Sequence, residues 1–111
     1  CMGYEIAGGL GARMARETGE VFVLVGDGSY LMMNSEIATS IALGQKLTIV
    51  LLDNRAFCCI HRLQLATGGA PRNNLLSLTH PAIDFRAYSQ RISPTSKRCV
   101  SRGWCGYARI R

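Results

Sequence analysis

Two apolar, β-branched runs set the frame of the chain: Val21-Phe22-Val23-Leu24-Val25 and Leu47-Thr48-Ile49-Val50-Leu51-Leu52. Each is short and unbroken and gives way to turn residues, the pattern of a buried strand in a parallel sheet. Between them, Ile37, Ala38, Ile41 and Ala42 recur at helical spacing over residues 34–43. Asn34 can cap the start of that helix and Gly44 can end it. Strand, loop, helix and strand together make a right-handed crossover of ordinary length. Both strands then deliver their following residues to the carboxyl edge of the sheet, where open α/β sheets bind ligands.

Upstream, Tyr4, Ile6, Ala7, Leu10, Met14 and Ala15 fit a helix packed on one face over residues 3–18, closed by Gly19. Gly8, Gly9 and Gly11 each lower its intrinsic propensity by about 1 kcal/mol relative to Ala. Lacking side chains, they also let the backbone approach a neighbouring element or a ligand. Gly9-Leu10-Gly11 is not a dinucleotide-binding loop, because no strand precedes it and the third glycine is missing. Downstream, residues 55–65 read as a loop running into a short helix, and residues 67–74 as loop by their turn residues. Residues 80–85 read as the approach to a further helix. From Ser89 to Arg111 neither a period of 2 nor one of 3.6 is sustained, and the chain shows no internal repeat.

The chemistry gathers where the two strands end. Gly26-Asp27-Gly28-Ser29 follows the first run and Asp53-Asn54 the second. Taken singly, each cluster is an ordinary turn sequence. Two of them after two buried strands are a more specific signal, for a diphosphate held with Mg²⁺. Such a group needs hard oxygen ligands, close backbone approach and N–H groups aimed at phosphate oxygens. Asp27 offers a carboxylate, Asn54 an amide oxygen and Ala56 a backbone carbonyl. Gly26 and Gly28 let the loop turn tightly, and Ser29 with the amides after it can face the phosphates.

Length and composition narrow the context. At 111 residues the chain is at most one small domain. A parallel sheet needs helices on both faces and few are available here, which points to a piece of a larger assembly. The start, Cys1-Met2-Gly3-Tyr4-Glu5, has neither a basic segment nor an initiator Met, so it is expected to be neither a signal peptide nor a natural beginning. No apolar run approaches the roughly 18 residues of a membrane span. Five cysteines with one adjacent pair and no C-x-x-C predict reduced thiols in a cytoplasmic setting rather than a disulfide framework or a zinc site. The net charge of +6 is unevenly placed: residues 1–85 hold six basic and seven acidic side chains, residues 86–111 seven basic and none acidic.

The polar clusters resemble the diphosphate-binding domain of thiamine-diphosphate-dependent enzymes, whose fingerprint is Gly-Asp-Gly, about two dozen residues, then an Asn pair. Here Asp53 replaces the first Asn and Asn54 keeps the second. The resemblance implies that Asp27, Asn54 and the carbonyl of Ala56 bind Mg²⁺, and that Gly26, Gly28 and Ser29 lie on the diphosphate. Cys1-Met2-Gly3-Tyr4 is similar to the stretch that holds the aminopyrimidine, with Met2 the bulky wedge under the cofactor and Gly3 beside it. Within the family, Val25 to Thr39, Leu52-Asp53-Asn54-Arg55, Ile60-His61-Arg62-Leu63-Gln64 and Asn73-Asn74-Leu75-Leu76 resemble the hydrolases that open a cyclic trihydroxycyclohexane-dione in myo-inositol catabolism. Phe57-Cys58-Cys59, where Tyr-Gly-Cys is the usual pattern, and Arg72 depart from them.

The resemblance thus implies an α/β fold, a truncated thiamine-diphosphate-binding domain with a partial parallel sheet and flanking helices. It covers residues 1 to about 85. Residues 86–111 are expected to be a basic tail that is disordered or not native to the fold, through a shift of reading frame near Phe85. The family's activating glutamate belongs to a separate pyrimidine-binding domain, of the same or a second subunit, that nothing in this chain matches. Glu5 and Glu36 are read as solvated or packing carboxylates and His61 and His80 as loop or surface residues, so no catalytic residue is expected in this stretch. The full-length protein is expected to be a homo-oligomer acting on a cyclic diketone, away from membranes. The alternatives are an acetolactate-synthase-like carboligase or decarboxylase, and a non-catalytic binding module using the basic tail. The tail has the charge of a nucleic-acid arm, but Tyr88, Trp104 and Tyr107 lack any binding-motif spacing.

Overall fold

The computed structural model describes residues 1–78, 81–92 and 100–102. His80, and residues 93–99 and 103–111 of the expected basic tail, lie outside them. The chain runs α1 (Tyr4–Met14), β1 (Phe22–Gly26), α2 (Asp27–Met32), α3 (Glu36–Ala42), β2 (Thr48–Asp53), α4 (Cys58–Ala66), a 3₁₀ turn (Leu76–Leu78), α5 (Phe85–Ile92) and β3 (Val100–Arg102). The three strands form one parallel sheet in the order β1-β2-β3. Phe22 pairs with Thr48 and Gly26 with Leu52, so the two apolar runs lie in register and end together at one edge.

The expected crossover between β1 and β2 is present with one addition. No loop follows β1: Gly26 caps a helix that begins at Asp27, so the polar cluster is that helix's first turn. Gly44, at φ +63°, ends α3 as expected, but in the first turn of α3 the Ile37 amide donates to the Asn34 carbonyl, and no side chain caps it. Helix α1 stops at Met14, short of the expected residue 18.

The core joins Ile6 of α1 with Val23 and Val25 of β1, Tyr30 of α2, Ile37 of α3, Leu51 of β2, Leu76 and Phe85. Burial alternates along β1: Val23 and Val25 are buried, whereas Phe22 and Leu24 are 58% and 51% exposed. The sequence led to burial of the whole run. Among the described residues, α1 and α2 pack against β1, and the outward positions Phe22 and Leu24 stay more than half exposed. Tyr30 meets Phe85 and Tyr88 edge-on, with ring centres 6.1 Å away in both pairs. Burial pushes the Tyr30 phenol up to about 12, with Tyr88 adding to it, so the ring stays neutral at ordinary pH.

Asp84 sits just before α5, where its Oδ1 accepts from the amides of Arg86 and Ala87 at 2.9 and 3.0 Å. The Ala87 bond, then that of Arg86 and the nearby arginines, hold its carboxyl below the ordinary value. A folded-state value below the unfolded one gives stability that is present above the unfolded value and lost as pH falls through the folded one. Lowering the pH from 5 to about 3 is therefore expected to lower the protection of the Arg86 and Ala87 amides, read as exchange relative to the intrinsic rate at each pH. Asp84→Ala should lack that protection at both pH values, and unchanged protection in that variant would refute the cap.

Candidate functional site

The site lies at the carboxyl edge of β1 and β2. Asp27 is 1% exposed although it is a carboxylate, because it opens α2 directly beneath the turn that follows β2. Its Oδ1 accepts from the Gly28 amide at 2.8 Å and its Oδ2 from the Ala56 amide at 3.3 Å. The same Ala56 N–H is shared with Asn54 Oδ1 at 3.1 Å. One backbone amide thus draws together the two side-chain oxygens that the sequence singled out, from positions 27 and 54. Burial pushes the Asp27 carboxyl up, with a further push from the charge of Asp53, against the pull of the backbone amides. A buried carboxylate with amides as partners is a ready ligand for a hard cation, which supplies the charge the site lacks.

The turn carrying Asn54 and Ala56 is braced on its far side. Ala56 lies opposite Leu75 in an antiparallel bridge. Its two bonds run from the Phe57 amide to the Asn74 carbonyl and from the Leu76 amide to the Arg55 carbonyl, each 2.8 Å. The Ala56 carbonyl takes no part in them and stays out of that ladder. Close approach is real at Gly28, where a Cβ would come 2.7 Å from Cδ1 of the Phe57 ring. Ser29 sits in the first turn of α2 and is half-buried. An oxygen set of carboxylate, amide and carbonyl at the first turn of a helix fits Mg²⁺ and a diphosphate by its donor chemistry. Among the described residues, no three His, Cys, Asp or Glu side chains gather as a softer metal site would require.

Met2 and Gly3 lie elsewhere. Gly3, at φ +88°, packs against Met33, the residue that ends α2, and a Cβ there would come 3.0 Å from the Met33 side chain. The Asp27 cluster and the Met2-Gly3 stretch therefore mark the two ends of a six-residue helix, about 9 Å apart at 1.5 Å per residue. Met2 is 37% exposed.

Several participants were not legible. Arg55 adopts φ +57° and pairs with Asp53, a geometry that no sequence signal gives for an arginine. Asn74, buried, donates its side-chain amide to Gln64 Oε1. The Oε2 atom of Glu5 is buried without a partner among the described residues, so Glu5 is not simply solvated. His61, on α4, lines a cavity of about 270 Å³ with Pro71, Asn73, Asn74, Leu75 and Leu78. The expectation of reduced thiols fails at Cys58, which is disulfide-bonded, while Cys1 and Cys59 are free; cysteine count and spacing carry no information on which sulfurs meet.

The parallel sheet thus carries a buried Asp just past the end of one strand and an Asn just past the end of its neighbour. Residues 1–100 match the family described as thiamine pyrophosphate enzyme, C-terminal TPP binding domain, and the chain belongs to that family. Its cofactor is thiamine diphosphate. The match passes Phe85 and continues through α5. Among individual proteins, the chain is 53% identical over 68 residues to the 3D-(3,5/4)-trihydroxycyclohexane-1,2-dione hydrolase of Geobacillus thermodenitrificans (strain NG80-2). The hydrolase of the same name from Clostridium tetani (strain Massachusetts / E88) is equally similar, and that of Bacillus thuringiensis (strain Al Hakam) is 50% identical. In each case the matched stretch is 61% of this chain and 11% of the relative.

Proposed function

We propose that this chain supplies the diphosphate- and Mg²⁺-binding part of a thiamine-diphosphate-dependent C–C bond hydrolase, acting on a cyclic trihydroxycyclohexane-dione. The observation that carries the site is the meeting of Asp27 and Asn54 at the Ala56 amide. Asp27, Asn54 and the Ala56 carbonyl hold Mg²⁺; Gly26, Gly28 and Ser29 receive the diphosphate; Met2 and Gly3 stand at the pyrimidine end. When bound, thiamine diphosphate supplies the electron-accepting ring that allows a bond beside a carbonyl to break. This chain's residues bind and orient. Gly28 lets the backbone lie close under the Phe57 ring, and the first turn of α2 is the part that receives anionic oxygen.

The names of the similar hydrolases support the substrate class. The proton chemistry belongs to a glutamate of a pyrimidine-binding domain, in the same or a second subunit of a homo-oligomer. The free thiols Cys1 and Cys59 suit a cytoplasmic setting and the bonded Cys58 does not; no helix of the described residues is long and apolar enough to cross a membrane. Product analysis of the complete enzyme that carries this chain tests the activity. Hydrolytic opening of the cyclic dione is the expected result, and acetolactate or CO₂ formed from pyruvate would overturn it. The charge step at Phe85 supports a foreign origin for the basic tail, but the family match runs to residue 100, so this reading is kept for residues 101–111 alone. Sequencing the coding DNA decides that point, since a confirmed frame contradicts it.

A further inference from the structure

Arg55 stands between Asn54 and Ala56 in a left-handed backbone conformation, φ +57°. A residue with a side chain stays there only where its surroundings fix it. They fix it on two sides. Its carbonyl accepts from the amides of Leu76 and Ser77, at 2.8 and 3.2 Å. Its guanidinium places Nε 3.0 Å from Asp53 Oδ2, donates through Nη1 to the Ile83 carbonyl at 2.8 Å, and lies 5.6 Å from the centre of the buried Phe85 ring. Asp53 is itself buried, and its Oδ1 accepts from the Arg55 amide at 3.2 Å. The planar fork of an arginine serves all three partners at once; a lysine cannot.

We propose that Arg55 is the positioning residue of the cation site: by joining Asp53 to residues 83–85 it holds the left-handed turn in which Asn54 Oδ1 and Asp27 Oδ2 meet at the Ala56 amide. The inference rests on the Mg²⁺–diphosphate reading above. It also assigns a task to Asp53, which stands where the resembling family has Asn. The Asp53 carboxylate is consumed by Arg55, so Asp27, partnered by backbone amides alone, is the carboxylate left for a cation. Filling the site and packing residues 83–85 are then coupled through one side chain.

The test uses the 111-residue chain, thiamine diphosphate with Mg²⁺ as the probe, and backbone NMR as the readout. In the parent chain, adding the probe is expected to shift the amides of Asn54 and Ala56 and, through Arg55, that of Phe85. Arg55→Gly keeps the left-handed turn free of strain but removes the clamp. It should bind about tenfold or more weakly, the scale of one lost charge-assisted hydrogen bond, and leave Phe85 unresponsive. Arg55→Lys, which keeps the charge beside Asp53 and is the milder change should the glycine variant not fold, should lose affinity and the Phe85 response as well. Binding within about twofold of the parent by either folded variant, with Phe85 still shifting, overturns the inference and leaves the site reading intact. No Mg²⁺-dependent binding by the parent chain overturns both.

Discussion

Asp27→Ala is expected to abolish Mg²⁺-dependent binding of thiamine diphosphate while leaving the chain folded. Replacing the partners behind a metal ligand lowers metal affinity by about 10–100-fold, so loss of the ligand itself should exceed about 100-fold. Asp27 is the one carboxylate of the cluster not engaged by a cation, which is why no neighbour substitutes for it. The effect on stability has the opposite sign. Burial raises the Asp27 carboxyl above its ordinary value. An acid whose folded-state value is raised gives stability that is full below its unfolded value and declines as pH rises through the folded one. Asp27→Asn removes that decline, so at neutral pH this variant should melt no lower than the parent and bind no cofactor. Calorimetric titration beside thermal melts, on the parent and both variants, reads the two effects separately. Retained Mg²⁺-dependent affinity would remove Asp27 from the site.

The second large effect is structural and turns on two glycines of α1. A Cβ at Gly9 would overlap the Cγ2 methyl of buried Val23, so this residue is where the helix lies directly on β1. Gly9→Ala gains about 1 kcal/mol of helix propensity, but inserting a methyl into a packed contact costs about 1–3 kcal/mol, and more where the helix must move away from the strand. The net is destabilising. Gly11, two positions on, has nothing within 4 Å of such a Cβ. Gly11→Ala should therefore stabilise by about 1 kcal/mol, which is roughly 4–8 °C in melting temperature for a domain of this size. Gly8 lies between these cases, because the atoms in its way belong to the exposed Tyr4 ring and can swing aside. Thermal melts of Gly9→Ala and Gly11→Ala check the opposite signs. Equal shifts would mean that α1 does not rest on β1 at Gly9.

The same glycines mark what could be read in the sequence. That α1 would approach a neighbour closely follows from three small residues on an otherwise apolar helix, although which of them makes the contact does not. The two strands follow from β-branched runs ended by turn residues, and the polar clusters at their ends follow from the strands, whereas the register is read only in the structure. Helix α2 is another matter. Its opening Asp-Gly-Ser is a turn sequence by local preference, and tertiary contacts decide for a helix: Tyr30 enters the core and Phe57 covers Gly28. The exposed side of β1 could not be inferred from Phe22 and Leu24, which read as core by composition. Arg55 was the least legible, since its conformation is set by Asp53, Ile83 and Phe85, up to 30 positions away, and by nothing in its own propensity. Local pattern therefore gave the frame and the polar clusters at its edge, whereas their mutual geometry comes from long-range contacts.

The account stands most directly on whether the edge of β1 and β2 takes a diphosphate through a cation. Titration of the 111-residue chain with thiamine diphosphate in Mg²⁺ and again in EDTA, with unphosphorylated thiamine as the control ligand, measures this. Saturable heat with thiamine diphosphate in Mg²⁺, absent in EDTA and absent with thiamine, is the result the account predicts. Binding that is indifferent to Mg²⁺ or to the phosphates, or no binding under any of the three conditions, would contradict it.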